Sequence, residues 1–390
     1  MPPPMNDQIQ PREVTELAGI IATAARAGQR LSIRGGGSKD GAGAPSGAMT
    51  LDMSAFAGVI QYDPAELVLT TGAATPLSEI QALVAESGQM LAFEPFDHGP
   101  IYGRPTGRAT IGGVIAAGVA GSQRLSHGGA RDHLLGFEAV SGKGERFVAG
   151  GKVVKNVTGY DLPKLASGSR GRLFALTQVT LKVLPAPRTR TTLVVRGLDF
   201  PTARHAMSSA LGSAAEVAAA AYIPASSGRP AITALRLQGF RPSVEARTTV
   251  LAALLGACGG ASELLPAEAD SLWRDLRTLD LLDQERALWR INIAPSQAPG
   301  LVGSFTGDWV ADWGGGLIWL ASDAEPTRIR CAALAAKGHA TLVRASETVR
   351  EVVPMFHPPQ PGIAALEARI RRAFDPAGVF ETGRFSDQGQ

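Results

Sequence analysis

Apolar residues near the start of the chain recur at helical spacing. Over residues 14–25 they follow an i, i+3, i+4, i+7 pattern, which predicts an amphipathic helix that ends at Gly28. A second helix is predicted to begin with Thr75 as N-cap and Pro76 in its first turn, and to end near Gly88. Short apolar runs predict strands at residues 31–33, 49–51, 59–62, 67–71, 90–93, 137–140, 146–148 and 173–184.

Two prolines mark a boundary in the middle of the chain. Pro185 and Pro187 end the preceding strand pattern and stiffen the connection that follows. Beyond them, strands predicted at residues 191–195, 231–237, 288–293, 316–321 and 341–344 alternate with helices predicted at residues 201–211, 244–255, 326–336 and 363–374. We therefore predict an α+β fold with domains over residues 1–187 and 188–370 and a tail over residues 371–390.

Composition and charge narrow the class of protein. The 390 residues are 45% hydrophobic, enough to bury the cores of two or three domains, and the formal net charge is only +3. Lysine and arginine are spread without a basic run, so no nucleic-acid partner is predicted. The first seven residues resemble no leader peptide, and apolar stretches are short. We expect a cytoplasmic protein that reaches a membrane only through its partners.

The chain offers few metal ligands. Its two cysteines, Cys258 and Cys331, form no C-x-x-C pair, so cysteines of this chain can build neither a zinc site nor an iron–sulfur cluster. We expect both to be buried, reduced thiols. His127 and His133 lie six residues apart, which does not match a helical metal pair. The sequence therefore predicts no metal site.

A run of three glycines follows the predicted strand at residues 31–33. In Arg34-Gly35-Gly36-Gly37-Ser38-Lys39 the glycines can adopt backbone angles that other residues avoid, and their N–H groups can converge on a phosphate. The two flanking cations would add positive charge. A plain glycine-rich turn is the alternative interpretation.

A second glycine-rich segment lies about seventy residues downstream, over residues 109–121. Neither segment matches G-x-G-x-x-G opening a helix, and the chain contains no Walker P-loop. Two such segments suit a large ligand with two phosphates that is held from both sides.

These two segments, with Thr110-Ile111-Gly112-Gly113 in the second, resemble the FAD-binding domain of the vanillyl-alcohol oxidase and para-cresol methylhydroxylase (PCMH) superfamily. The run Lys155-Asn156-Val157-Thr158-Gly159-Tyr160-Asp161-Leu162 is narrower and resembles the FAD-binding subunits of bacterial glycolate oxidases. Further matches cover nearly the whole chain and are patchy in the second half. The resemblance implies a PCMH-type FAD-binding domain over residues 1–187, an α+β cap domain, and a C-terminal tail that returns to the FAD domain.

The resemblance also implies a set of cofactor contacts. Without a histidine or cysteine in the first glycine loop, FAD is expected to be held non-covalently. The residues expected to contact it are Arg34, Gly35, Gly36, Gly37, Ser38, Lys39, Thr110, Ile111, Gly112, Gly113, Ala117, Gly118, Arg131, Asp132, Gly168, Gly171, Leu173, Leu176 and Arg384. For Arg131 and Asp132 a surface salt bridge is the alternative.

Five positions depart from the superfamily pattern. In the segment usually written G-S-x-G-T-L-G-I-I-T, Arg172 stands at the threonine, Phe174 at the second glycine and Ala175 at the first isoleucine. Before the terminal Gly-Arg, the usual asparagine-proline is replaced by Glu381-Thr382. These changes alter fine cofactor contacts rather than the domain.

Candidate catalytic residues lie in the second half. Arg290 sits in an apolar strand, where its planar guanidinium needs a partner: a substrate carboxylate or a structural ion pair. His339 is a candidate catalytic residue or an ordinary core histidine. Trp313 and Trp319 fit packing roles, with flavin or substrate contact as the alternative.

The implied function is that of the FAD-binding subunit of a glycolate oxidase complex, which oxidises glycolate to glyoxylate. The implied partners are a larger FAD-binding catalytic subunit and an iron–sulfur subunit that receives the electrons, with a small 2-hydroxy acid as substrate. The chain lacks the H-x-G-D-G-N-x-H metal signature of larger relatives. Two alternatives stay open: a self-sufficient FAD oxidase or dehydrogenase of another small alcohol or hydroxy acid, and a non-catalytic FAD-bearing subunit.

Overall fold

The computed structural model describes residues 8–151, 159–226 and 228–385. Three stretches used above lie outside these residues. They are the first seven residues, residues 386–390 of the expected tail, and residues 152–158, which include Lys155, Asn156 and Val157.

The first part of the chain mixes short strands and helices. Its strands are β1 (Gln8–Ile9), β2 (Leu31–Arg34), β3 (Met49–Asp52), β4 (Val59–Asp63), β5 (Val68–Gly72), β6 (Gln89–Met90), β7 (Leu134–Ser141), β8 (Arg146–Gly150), β9 (Phe174–Lys182) and β10 (Leu184–Pro185). Its helices are α1 (Val14–Ala27), α2 (Leu77–Glu86), α3 (Ile111–Ala117), α4 (Arg124–His127), α5 (Ala130–His133) and α6 (Leu162–Ala166).

The second part alternates strands and longer helices. Its strands are β11 (Thr189–Arg196), β12 (Ala219–Ile223), β13 (Ile232–Gly239), β14 (Ser262–Glu263), β15 (Leu288–Asn292), β16 (Asp308–Asp312), β17 (Leu317–Ala321) and β18 (His339–Arg344). Its helices are α7 (Phe200–Leu211), α8 (Arg241–Leu255), α9 (Pro266–Thr278), α10 (Ala298–Val302), α11 (Pro326–Ala335), α12 (Glu347–Val352) and α13 (Pro361–Phe374).

Most predicted elements are present, and the differences have local causes. The helix predicted at residues 14–25 is α1, and Gly28 ends it with a φ of 64°. The prediction of Thr75 as the N-cap of α2 was wrong, because its buried hydroxyl donates to the Gly72 carbonyl and Pro76 holds the cap position instead. The strand predicted at residues 90–93 ends at Met90.

The chain divides into two compact units. The first contains residues 1–120, 128–186 and 358–390, and the second contains residues 121–127 and 187–357. The boundary at residues 186 and 187 lies beside the expected one.

The chain rejoins the first unit at residue 358, earlier than the tail expected from residue 371. The reason is that α13 carries Ile370 and Phe374, which pack against a core of the first unit. The carbonyl of Phe374 also accepts a hydrogen bond from the Gly142 amide at 2.9 Å.

In the first unit, a five-stranded antiparallel sheet with the order β4-β5-β9-β7-β8 packs against α3. A smaller parallel sheet, β1-β3-β2, presents the end of β2 at Arg34. In the second unit, an eight-stranded sheet has the order β14-β11-β13-β12-β16-β17-β15-β18. Each unit buries its own apolar core.

Two further expectations can be compared with the structure. Cys331 is exposed and Cys258 is half-buried, so the prediction of buried thiols was wrong: α11 turns Cys331 towards solvent. None of the helices in the described ranges combines the length and apolar character that a bilayer-spanning segment needs.

Candidate functional site

A cavity opens in the first unit where β2 ends. It contains about 910 Å3 of space between atoms, counted with its open mouth. The loop at residues 34–42, the start of α3 and the turn at residues 169–171 line it. Phe174, Leu176 and Arg384 complete the wall.

The first glycine loop passes too close to its neighbours for any side chain. A Cβ atom on Gly36 would lie 1.9 Å from the Arg108 carbonyl oxygen, and one on Gly35 would lie 2.5 Å from Thr110 Oγ1. Gly37 has a φ of 77°, which L-residues rarely adopt. The loop therefore depends on glycine for its path.

The backbone of this loop offers unused hydrogen-bond donors. Among the residues that the structure describes, none accepts a hydrogen bond from the amide N–H groups of residues 35–39. Consecutive free amides in a turn form an anion-binding concavity. An anion in the cavity would satisfy donors that folding would otherwise leave without acceptors.

A half-buried lysine, Lys39, lies at the end of the loop. Burial is the main cause that lowers the pKa of Lys39 to about 8, the positive charge of Arg170 lowers it further, and Asp97 acts in the opposite direction. Within the described residues its ammonium bonds the Ser38 hydroxyl at 3.2 Å and has no carboxylate at ion-pair distance. A partly desolvated charge without a counterion is unfavourable, so the site favours an anionic ligand.

Arg34, at the other end of the loop, stabilises it through a contact with Asp40. Its guanidinium Nη2 donates to Asp40 Oδ2 at 2.7 Å, while its buried Nε has no acceptor among the described residues. Both residues crowd Gly37, whose Cβ would lie 2.8 Å from the Arg34 and Asp40 side-chain atoms. The pair of Arg34 and Asp40 therefore fixes the turn.

Arg384 holds the loop by its carbonyl groups. Its Nε donates to the Ala42 carbonyl at 2.7 Å, and its Nη2 donates to the carbonyls of Lys39 and Asp40 at 2.7 Å each. These bonds satisfy three carbonyl groups of the loop and fix their positions. A residue near the end of the chain thus fixes a loop near its beginning.

The second glycine segment forms α3. The Thr110 hydroxyl accepts a hydrogen bond from the Gly113 amide at 3.4 Å and caps the helix. The Gly112 amide donates to the Ala73 carbonyl at 2.7 Å, and a Cβ on Gly112 would lie 2.7 Å from the same oxygen. Glycine at 112 therefore lets the helix pack directly on Ala73 of the cavity wall.

The candidate catalytic residues lie in the second unit. The Arg290 guanidinium carbon lies 5.2 Å from the ring centre of Trp313 and 5.9 Å from that of Trp319, and its Nη1 donates to Asn292 Oδ1 at 2.6 Å. His339 is exposed at the start of β18, opposite Asn292 of β15. Desolvation lowers the pKa of His339, and the charges of Arg290 and His357 lower it further.

Known proteins match this chain in sequence. A family model described as an FAD binding domain matches residues 8–150. Glycolate oxidase subunit GlcE of Escherichia coli is 36% identical over 358 residues, which cover 91% of this chain and 92% of that protein. The chain belongs to the family of this glycolate oxidase subunit.

Other relatives of the family match only in part. A D-lactate dehydrogenase of Archaeoglobus fulgidus is 30% identical over 204 residues, 51% of this chain and 42% of that protein. Glycolate oxidase subunit GlcD of Bacillus subtilis is 36% identical over 117 residues, 30% of this chain and 23% of that protein. The chain is thus an FAD-dependent oxidoreductase by family.

Solved structures show the same fold at low identity. The crystal structure of p-cresol methylhydroxylase with substrate bound has a TM-score of 0.71 and 14% identity, covering 97% of this chain and 88% of that one. An alkyldihydroxyacetonephosphate synthase structure has a TM-score of 0.67 and 13% identity, covering 96% and 76%. The expected PCMH-type fold is therefore confirmed.

The cavity fits FAD in its charge and backbone chemistry. The free amides of residues 35–39 and the Lys39 ammonium are suited to the cofactor's diphosphate. Apolar wall residues such as Met53 and Leu176 are suited to flat, uncharged ring surfaces. When bound, FAD supplies the redox chemistry, and the chain supplies its placement and the electrostatic environment.

The structure brings together most of the expected cofactor contacts. The residues that line the cavity are Arg34, Gly35, Gly36, Gly37, Ser38, Lys39, Thr110, Gly112, Gly113, Ala117, Gly171, Leu176 and Arg384. The expected contacts that do not line it are Ile111, Gly118, Arg131, Asp132, Gly168 and Leu173.

The six other residues occupy supporting positions. Ile111 and Leu173 are buried in a core of the first unit. The Gly168 amide donates to the Ile115 carbonyl at 3.1 Å, and a Cβ on Gly118 would lie 3.5 Å from the Gly168 Cα. Asp132 accepts from the Gly129 amide at 2.8 Å, and Arg131 is exposed.

Sequence reasoning missed several lining residues. Ser169 and Arg170 line the cavity from the turn at residues 169–171, and Arg170 adopts a φ of 57°. Four others each lie next to an expected contact in the sequence: Ile33, Asp40, Ala116 and Phe174. The remaining ones carry no local signal, because folding brings them together from separate strands and loops: Ala42, Met53, Ala73, Ala74 and Phe385. For Arg170, its position between two glycines was the available signal.

Phe174 stands where the superfamily pattern has glycine, and it fills space that glycine would leave empty. Its ring lies 5.0 Å from Phe137, 5.3 Å from Phe147 and 5.3 Å from Phe374. We expect Phe174→Ala to lower the free energy of unfolding by about 3–5 kcal/mol, because it removes a buried aromatic side chain and leaves a cavity.

Denaturant unfolding measures this loss. Val148→Ala is the matched control, since Val148 lies in the same sheet and is 70% exposed. A loss below about 1 kcal/mol for Phe174→Ala would show that the ring contributes little to the core.

Proposed function

We propose that this chain is the FAD-carrying subunit of a multi-subunit enzyme that oxidises glycolate to glyoxylate. The observation that carries the proposal is the match to glycolate oxidase subunit GlcE over 91% of the chain. The similarity to a GlcD subunit supports a complex of more than one flavoprotein chain. The cavity of the first unit supports the cofactor part of the proposal.

We infer that FAD is held without a covalent bond. The residues described around the cavity include no histidine, cysteine or tyrosine, which are the side chains that form covalent flavin links. Non-covalent binding then depends on the glycine loop and on Lys39.

Electrons would leave this chain for another subunit. Iron–sulfur clusters are held by sets of cysteine ligands, and this chain has only Cys258 and Cys331. We propose an iron–sulfur subunit as the acceptor and a larger FAD-binding subunit as the third component. Any contact with a membrane would come through these partners.

We propose that Arg290 binds a substrate carboxylate and that His339 accepts a proton. Arg290 is half-buried over two tryptophan rings, where a guanidinium pairs strongly with a planar carboxylate. Because its pKa is lowered, His339 is neutral at pH 7 and can take the proton that an oxidised hydroxyl group releases.

Reconstitution tests the proposed function. The purified chain should carry FAD and show little glycolate-dependent dye reduction, and activity should appear when the larger flavoprotein and iron–sulfur subunits are added. Strong turnover of glycolate by the chain alone would instead identify a self-sufficient oxidase. A flavin that no hydroxy acid reduces, even in the complex, would identify a non-catalytic subunit.

In the active complex, Arg290→Ala should raise KM for glycolate by about tenfold to a hundredfold with normal FAD content, because a charge-assisted contact of about 1.5–3 kcal/mol is lost. Arg290→Lys should retain part of the affinity. If Arg290 is only structural, the variant should lose stability or assembly and keep its KM.

A further inference from the structure

A small ion-pair network ties the end of the chain to the first unit. The carboxylate of Glu381 accepts hydrogen bonds from Arg172 Nη2 at 3.0 and 3.3 Å and forms an ion pair with Arg371 Nε at 3.0 Å. The side chains of Arg172 and Arg371 are only 13% and 20% exposed, and that of Glu381 is 32% exposed. Partial burial weakens solvent screening, so this network is stronger than an exposed pair.

The three residues come from separate parts of the first unit. Arg172 directly follows Gly171, which lines the cavity together with Ser169 and Arg170. Arg371 belongs to the last turn of α13. Glu381 lies three residues before Arg384. It therefore connects the cavity turn, helix α13 and the residue that holds the glycine loop.

The tail lies close against the glycine loop beyond Glu381. The Ser46 hydroxyl donates to the Thr382 carbonyl at 2.9 Å, and the Ala44 amide donates to the Arg384 carbonyl at 2.9 Å. A Cβ on Gly43 would lie 2.3 Å from the Arg384 carbonyl oxygen. Small shifts of the tail would therefore move the loop carbonyls that Arg384 binds.

Arg172 and Glu381 carry opposite charges and lie 3.0 Å apart, so each is a counterion of the other. This ion pair joins the cavity turn directly to the tail.

We propose that Glu381 is a positioning residue for the FAD site. Through Arg172 and Arg371 it fixes the tail, the tail fixes Arg384, and Arg384 sets the path of the glycine loop whose amides face the cofactor. Glu381 itself does not line the cavity. Its effect on FAD therefore depends on Arg384.

FAD titration of the flavin-free full-length chain tests this proposal. Glu381→Lys places an ammonium beside two guanidinium groups and should weaken FAD binding about tenfold or more, as for coupled charges in one network. Glu381→Gln keeps the shape and should give a smaller loss in the same direction. In flavin-free protein, both variants should also expose the tail to faster proteolysis after Arg384.

The matched control is Glu367→Ala. Glu367 pairs with Arg371 at 3.6 Å along α13 but does not contact the tail, so this variant should bind FAD as the wild type does. Loss of binding in Glu367→Ala equal to that in Glu381→Gln would overturn the proposal, because general weakening of α13 would then be the cause.

A double variant separates positioning from folding. In an Arg384→Ala background, Glu381→Gln should cause no further loss of FAD affinity, since the link through Arg384 is already broken. Additive losses would overturn the proposed route. Wild-type FAD affinity in both Glu381 variants would overturn the role of Glu381 itself.

Discussion

Replacement of Gly36 by alanine should leave the purified protein almost without FAD. The added methyl group would lie 1.9 Å from the Arg108 carbonyl oxygen, far inside van der Waals contact, and the Arg108 carbon would lie 2.9 Å away. Both neighbours are backbone atoms, so neither can rotate aside as a side chain could. The loop must move, and its amides then no longer converge on the diphosphate. We expect FAD content below about a tenth of wild type, equivalent to more than about 1.4 kcal/mol of binding free energy.

Gly47→Ala is the matched control for this prediction. A Cβ on Gly47 has no atom within 4 Å and the residue has no positive φ, so this variant should retain FAD. The flavin-to-protein absorbance ratio measures both. Gly36→Val should be at least as severe. Full flavin content in Gly36→Ala with an unchanged melting temperature would show that the loop is an ordinary turn without a role in binding.

FAD affinity should fall as the pH rises above about 8, and Lys39 should be the cause. In the flavin-free protein the pKa of Lys39 is lowered to about 8, chiefly by burial. A bound diphosphate stabilises the protonated ammonium, so the pKa of Lys39 is higher in the complex. Binding then takes up a proton above pH 8, and the FAD dissociation constant should increase by about tenfold for each pH unit in this window.

Two substitutions at position 39 isolate this effect. Arginine stays protonated, so Lys39→Arg should bind FAD with little dependence on pH between 7 and 10. Lys39→Met should weaken FAD binding at every pH. The loss of binding free energy should be roughly 1.5–3 kcal/mol, because a charge-assisted contact is lost. An identical pH profile in wild type and Lys39→Arg would assign the pH dependence to another group.

The same pKa affects the stability of the flavin-free protein with a defined sign. The folded state releases the Lys39 proton near pH 8, whereas the unfolded chain holds it until its ordinary pKa of 10.5. Between these values the unfolded state binds more protons, so the contribution of Lys39 to stability rises with pH. Below pH 8 the buried charge opposes folding, and bound FAD removes this penalty.

The glycine loop was predictable from sequence because its chemistry is local. Three adjacent glycines with a cation on each side specify a turn of free amides without reference to the rest of the chain. Arg384 was identified only by family resemblance, since no pattern within the tail relates it to a loop 345 residues earlier. Met53 and Ala73 line the cavity only because strands and loops from different parts of the chain pack together.

The prediction of secondary structure from sequence failed where tertiary contacts override local conformational preference. The alanine-rich segment β12 has no strand pattern of its own, yet it lies between β13 and β16 and pairs with both. Thr75 has the sequence position of an N-cap, but the neighbouring strand end offers its hydroxyl a buried carbonyl acceptor at 2.7 Å. Phe174 is a residue that the sequence did not explain. In the structure its ring packs against three neighbouring aromatic rings.

The bonds from Arg384 to the loop also have a consequence for the order of folding. They join residues 342 to 345 positions apart, so they close one of the longest loops that this chain can form. Closing such a loop is entropically unfavourable until the intervening chain has already become compact. The glycine turn can form early in folding from its own residues. Its conformation is fixed for cofactor binding only later, when Arg384 reaches the loop. Flavin capture during refolding should therefore lag behind the recovery of secondary structure.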